Sequence, residues 1–197
     1  IGLRLAGNYA DGDGQIQNVF AGGRDGNSTD TLQGRASLRI SPGDALDITL
    51  RGYAGRDRGT QAGVHGLTAF RAGLNFWQTN ENRMGDSNTD AWGMSANIGY
   101  DLTDSLRVTS ITSYDGGKQQ LQQAADGSPA DVLDISWNSQ YRQFSQELRG
   151  NYSGDGLSFV GGLFYGWDQN ITDNRFNLPL PPAVAASREV HDNPALR

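Results

Sequence analysis

Three stretches of this chain share one plan. In each, two runs of about ten residues alternate apolar and polar side chains, a short Gly/Asp/Ser turn joins them, and a long polar segment follows. They read QGRASLRI-SPGDA-LDITLRGYA over 33–54, WGMSANIGYDL-TD-SLRVTSITSY over 92–114 and QFSQELRGNYS-GD-GLSFVGGLFYGWD over 143–168. A period of two with tight turns at one end and long loops at the other is the pattern of a transmembrane β-barrel. It constrains the chain more than any other feature, because strands of this kind need lipid on one side and water on the other.

The two faces separate consistently. From Trp92 onward, Trp92, Met94, Ala96, Ile98, Tyr100 and Leu102 fall on one side, and Gly93, Ser95, Asn97, Gly99 and Asp101 on the other. Phe144, Leu148 and Tyr152 stand opposite Gln143, Ser145, Glu147, Arg149 and Asn151, and Leu157, Phe159, Leu163, Tyr165 and Trp167 stand opposite Ser158, Gly162, Gly166 and Asp168. Val160, Phe164, Ile111 and Tyr53 interrupt the polar side. The alternation predicts about seven strands, at roughly 2–10, 31–41, 45–55, 89–102, 105–116, 139–153 and 156–170, each long enough to cross a bilayer at a tilt. An eighth begins near Arg188. Turns at 41–45, 103–105 and 153–156 supply the backbone angles of hairpins and are placed on the periplasmic rim. Segments at roughly 11–30, 56–88, 117–138 and 171–197 read as extracellular loops. Tyr9, Tyr100, Tyr114, Tyr152, Tyr165 and Trp167 lie toward strand ends, as interfacial aromatic girdles do.

Composition narrows the function. A net charge of −6 and a pI near 4.8, with no basic stripe, exclude a nucleic-acid partner. There is no cysteine, hence no disulfide, thiolate metal site or thiol nucleophile. Mean hydropathy is −0.57 and no apolar run approaches the length of a membrane helix, which leaves spanning by strands open. With no initiating Met and no leader, the chain reads as a piece of a longer protein.

Specific residues point further. The runs GLRLAGNYADGDGQIQN (2–18) and GRDGNSTDTLQGRASLRISPGDALDITLRGYAGR (23–56), then LRVTSITSY (106–114), then RQFSQELRGNYSGDGLSFVGGLFYGWDQ (142–169), resemble in order the mid-barrel region of TonB-dependent outer-membrane receptors. The R-Q-F-S-Q-E-L-R hairpin is the most specific of these. The resemblance implies an all-β, antiparallel up-and-down barrel of about 22 strands. It is plugged by an N-terminal domain and takes up a scarce nutrient such as an iron-siderophore, cobalamin or an oligosaccharide, driven by the TonB complex. It implies the outer membrane of a Gram-negative bacterium, with lipid around the wall. Residues 1–197 would be a partial barrel domain, about a third of such a wall, lacking the plug, the TonB-contacting motif and the C-terminal strands. Such a piece cannot close, and open edges in hydrocarbon cost several kcal/mol for each unpaired backbone group.

Arg35, Arg39, Arg51, Arg107, Glu147 and Arg149 are the charged groups expected on the inward, lumen-lining face. The loop 56–88, with Phe70, Phe76 and Trp77 among Asn and Gln residues, is the candidate for small-molecule contact, since rings stack and amides donate and accept. His65 and His191 read as solvated loop histidines without a partner at ligand spacing. The segments Asp11-Gly-Asp13-Gly and Asp25-Gly-Asn27-Ser-Thr-Asp30 have the alternate oxygens of calcium loops but no Glu at the twelfth position, and turn chemistry accounts for them. No metal, cofactor or catalytic residue is expected; no G-x-S-x-G elbow occurs. Two other readings stand beside the receptor: a passive porin or autotransporter barrel, and a soluble extracellular all-β binding module whose apolar face is buried in a sandwich.

Overall fold

The computed structural model describes residues 1–64 and 73–178, and the backbone of 187–193. Its strands are β1 (Gly2–Gly12), β2 (Gln17–Asn18), β3 (Thr29–Ile40), β4 (Leu46–Thr60), β5 (Gln78–Thr79), β6 (Asp86–Thr103), β7 (Leu106–Ala124), β8 (Asp134–Gly154), β9 (Leu157–Asn177) and β10 (Ser187–Asn193). Eight of them form one antiparallel sheet in the order β1-β3-β4-β6-β7-β8-β9-β10, so each long strand pairs with the next long strand in the chain. That is an up-and-down meander. Among the described residues β1 pairs only with β3 and β10 only with β9, leaving both edges of the sheet open. The short β2 and β5 pair in parallel apart from the sheet.

Each expected strand is present, and the eighth runs over Ser187–Asn193. The turns also fall where expected. The β8–β9 connection is the pair Asp155-Gly156 with both φ positive (49° and 76°), the backbone that lets a two-residue loop match the twist of its strands.

The long strands extend further than the alternation indicates. The expected loop 117–138 shrinks to residues 125–133, because β7 continues to Ala124 and β8 begins at Asp134. Lys118, Gln119 and Gln120 pair with Gln140, Ser139 and Asn138. Backbone ladders persist there although no apolar alternation marks them, since the side chains are polar on both faces. His191 likewise lies in a strand, its backbone opposite Asn170, and not in a loop.

Register places every directly opposed pair on one face, which makes the separation of faces a geometric fact. Leu3, Leu38, Leu50 and Ala96 form one row; Ile40, Ile48, Ile98, Ser110, Leu148 and Leu163 form another. These side chains are uncovered: Leu163 is 76% exposed, and Leu3, Leu5, Met94, Leu102, Leu157 and Phe159 are all exposed. The only buried hydrophobic residues among those described are Met84 and Ala124. A soluble sandwich would bury this face, at about 1.5–3 kcal/mol for each large side chain removed from water. Here it has no second layer. Along β6 the band from Trp92 to Leu102 spans ten residue steps, about 34 Å of strand, or about 24 Å in height at a tilt near 45°.

Three polar side chains, Ser110, Thr112 and Gln146, interrupt the band and satisfy one another within it. Gln146, opposite Thr112 and Tyr165, accepts from Thr112 Oγ1 at 2.5 Å and donates to Ser110 Oγ at 3.0 Å. This closed set of hydrogen bonds suits a surface that water does not reach.

Candidate functional site

Over the span of the apolar band, the charge lies on the opposite face. Arg35, Arg39, Arg51, Arg107, Glu147 and Arg149 all fall on it by register: Arg35 opposes Tyr53, Arg39 opposes Thr49, Ser37 opposes Arg51, Arg107 opposes Asp101, and Arg149 and Glu147 oppose Thr109 and Ile111. Three of the five arginines are paired. Arg39 Nε donates to Asp47 Oδ1 at 3.2 Å across the β3–β4 hairpin. Arg107 Nη1 lies 2.9 Å from each oxygen of Asp101 across the β6–β7 hairpin. Arg149 Nε donates to Glu147 Oε1 at 2.8 Å along β8. Each pair is partly open to solvent, so screening keeps its contribution to stability small.

Arg35 and Arg51 form no ion pair among the described residues. With Arg4 and Tyr53 they line a concavity of about 440 Å³, and beside it lies another of about 500 Å³ bordered by Asn8, Gln33, Arg35, Asp57 and Thr89. Tyr53, which interrupts the polar alternation, donates to Asp115 Oδ1 at 2.8 Å. Its hydroxyl makes it a polar-face residue after all.

Beyond the ends of β3 and β4, the segments 13–28, 61–64 and 73–85 interlock around Asn18. Its amide nitrogen donates to Glu81 O at 3.0 Å, and its Oδ1 accepts from the backbone N–H groups of Glu81 at 3.1 Å and Phe20 at 3.2 Å. Gln17 and Val19 donate their N–H groups to the carbonyls of Trp77 and Thr79 at 2.8 Å each. Met84 fills the space over Gly26, where a Cβ would stand 3.1 Å from its Cε. Arg24 ties the assembly to β6 through Asp86 at 2.7 Å.

The acidic turn residues work in this scaffold. Asp25 Oδ1 accepts from Asn18 N at 2.9 Å, and Asn27 takes the left-handed conformation at φ 64°. Glu81 is fully buried; its Oε1 accepts from Thr79 Oγ1 at 2.8 Å and from Val64 N, while its Oε2 has no partner. Burial pushes its carboxyl pKa up, against the hydrogen bonds from Thr79 and Val64. Asp126 behaves oppositely in the 125–133 loop. Partial burial opposes its charge, but hydrogen bonds from Ser128 and from the N–H groups of Leu133 and Val132 outweigh that and hold its carboxyl below the ordinary value.

This scaffold displays two of the three candidate ligand-contact rings. Phe76 and Trp77 are 78% and 55% exposed and meet edge to face at 5.2 Å between centroids. Trp77 is held by its N–H to Asn75 Oδ1 at 2.9 Å and by its carbonyl to Gln17. Phe70 and His65 lie outside the described residues. Sequence reasoning missed Asn18, Glu81 and Met84, which hold the aromatic pair in place. Their partners lie as far as 63 positions away, and no local pattern joins them.

No known protein family and no curated protein matches this sequence. Solved structures that share its fold include two receptors. The ferric yersiniabactin uptake receptor FyuA of Yersinia pestis superposes with a TM-score of 0.69 at 18% identity, over 89% of this chain and 28% of that one. BauA, the ferric preacinetobactin receptor of Acinetobacter baumannii, superposes with a TM-score of 0.56 at 14% identity, over 99% of this chain and 30% of that one. The fold is therefore that of a stretch of antiparallel β-barrel wall. The likeness is one of fold, and the chain spans less than a third of the length of each of these two receptors.

Proposed function

We propose that this chain is a partial barrel domain in the wall of an outer-membrane receptor that takes up a scarce nutrient with energy from TonB, the plug and the remaining strands belonging to other parts of the protein. The observation that carries the reading is the sorting of side chains by register. The exposed apolar band lies on one face, and Arg39–Asp47, Arg107–Asp101 and Arg149–Glu147 lie on the other. Arg35, Arg39, Arg51, Arg107, Glu147 and Arg149 line the lumen, where water and the plug hydrate or pair them. Both structural neighbours are siderophore receptors, which favours an iron chelate over cobalamin or an oligosaccharide as the cargo. They are receptors and not enzymes, in keeping with a transport role. Phe76 and Trp77, rigidly held and exposed, offer stacking surface to such a ligand. The uncovered band argues against a soluble module.

Spin labels on the intact protein in bilayers test the placement. Labels at Ile98, Leu148 and Leu163 are quenched by lipid-soluble oxygen, and those at Asn97 and Glu147 by a water-soluble nickel chelate; the reverse pattern overturns the reading. Growth on single ferric chelates, with a Phe76→Ala/Trp77→Ala variant losing uptake at low supply, tests the cargo.

A further inference from the structure

We propose that Glu81 is a proton-operated latch: with its carboxyl neutral, the segments 13–28, 61–64 and 73–85 stay locked and hold the exposed Phe76–Trp77 pair in one arrangement, and with the proton lost they part and free the pair. The hydrogen bonds have the layout of an acid rather than a carboxylate. Glu81 Oε1 takes both donors, the Thr79 hydroxyl at 2.8 Å and the backbone N–H of Val64, whereas Oε2, equally sealed from water, takes none. A neutral carboxyl loses little by this, but a carboxylate leaves half of its charge dry and unmatched. Water reaches that oxygen only by opening the segments. The cover is close: a Cβ on Gly63, at φ 78°, would stand 2.7 Å from Oε1 and 3.4 Å from Met84 Cε.

One short ladder carries the effect to the rings. Gln17 N–H donates to the Trp77 carbonyl, Val19 N–H to that of Thr79, and the Asn18 side chain closes on both backbone groups of Glu81. Opening the ladder at Glu81 therefore loosens the backbone that carries Phe76 and Trp77. The surroundings favour the neutral form. Burial is the larger effect; Asp126, in the loop whose Ser128 carbonyl accepts from Asn82 N at 3.2 Å, adds a like charge, and the bonds from Thr79 and Val64 offset only part of this. No counter-cation is at hand among the described residues. Arg24 is taken up by Asp86 and Arg83 by Asp134, while Asp25 accepts from Asn18 N; His65 and Arg71 lie outside the described residues. The lock is complete below the ordinary carboxylate range and is lost as pH rises through the raised value.

The test is fluorine NMR of the intact protein labelled with 5-fluorotryptophan, without ligand, the Trp77 resonance being assigned by its loss in Trp77→Phe. In the wild type that resonance leaves the position set by the Phe76 ring and moves toward that of free fluorotryptophan as pH rises, with a midpoint above the ordinary carboxylate range. Glu81→Gln, which keeps the side chain neutral, holds the resonance still throughout. Asp126→Asn, which removes the like charge, moves the midpoint down, and Thr79→Val, which removes a donor to Oε1, moves it up; these two opposite displacements decide the matter even if Glu81→Gln fails to fold. A wild-type resonance that ignores pH, the same titration in Glu81→Gln, or a midpoint that neither neighbour displaces overturns the proposal. That the latch governs capture of a ligand rests on the role proposed above for the rings. A pair that titrates as described while Phe76→Ala/Trp77→Ala keeps full uptake defeats that role alone and leaves the latch standing.

Discussion

Tyr53 on β4 and Asp115 on β7 are hydrogen-bonded at 2.8 Å across an intervening strand, and the residue between them is Gly93. The phenol lies flat over that glycine. A Cβ at Gly93 would run into both Asp115 Oδ1 and the Tyr53 ring.

Gly93→Val therefore destabilises the barrel by about 1–3 kcal/mol, the usual cost of forcing volume into an occupied space. Gly34→Val, where a Cβ meets nothing within 4 Å, stays within about 0.5 kcal/mol of the wild type. Urea unfolding of the intact protein in vesicles, followed by tryptophan fluorescence, measures both.

Leu163 and Phe164 are sequence neighbours on opposite faces, opposed to Leu148 and Glu147 respectively. Leu163→Arg near the middle of the band costs about 2–4 kcal/mol of folding free energy in a bilayer. Phe164→Arg sets its guanidinium opposite Glu147 in water and costs far less. Equal losses for the two would contradict the assignment of faces.

Glu81 gives the loop scaffold a pH dependence of definite sign. Its carboxyl is raised in the folded scaffold, so the folded state holds the proton more tightly than the open one. The scaffold is firmest below the ordinary carboxylate range and loosens as pH rises from there through the raised value. Hydrogen exchange at Val64 and Thr79, corrected for the intrinsic rate, speeds up over that interval in the wild type; in Glu81→Gln the pH dependence is lost.

Among the described residues the sheet has two open edges, and the expected outcome for residues 1–197 alone is that they form no pore. Liposomes exposed to the refolded segment keep a trapped dye, and planar bilayers show no defined conductance step. A unitary conductance would show that the segment closes by itself or with copies of itself.

The faces of the sheet were legible because one is apolar and the other polar over several long strands, and a period of two sustained that far cannot be mistaken. Gly156 after Asp155 announced its turn for an equally local reason. The upper halves of β7, β8 and β9 were not legible. Lys118, Gln119 and Gln120 are polar on both faces, and only the hydrogen-bonded ladder keeps them extended. The clamp of Asn18 on Glu81 was invisible for another reason: it is a contact between two loops that each look like ordinary polar turns. The six charged residues were placed on their face from alternation, but alternation could not tell that Arg39, Arg107 and Arg149 find carboxylates while Arg35 and Arg51 do not.

Strands β8 and β9 are 21 residues each, about 70 Å of chain, or about 50 Å of height at a tilt near 45°. The hydrocarbon band takes up about half of that. If the band marks the hydrocarbon layer, the rest stands clear of the bilayer, already ordered by its own ladder, and a molecule approaching from outside meets paired strands there and not a loop that must first be frozen into place.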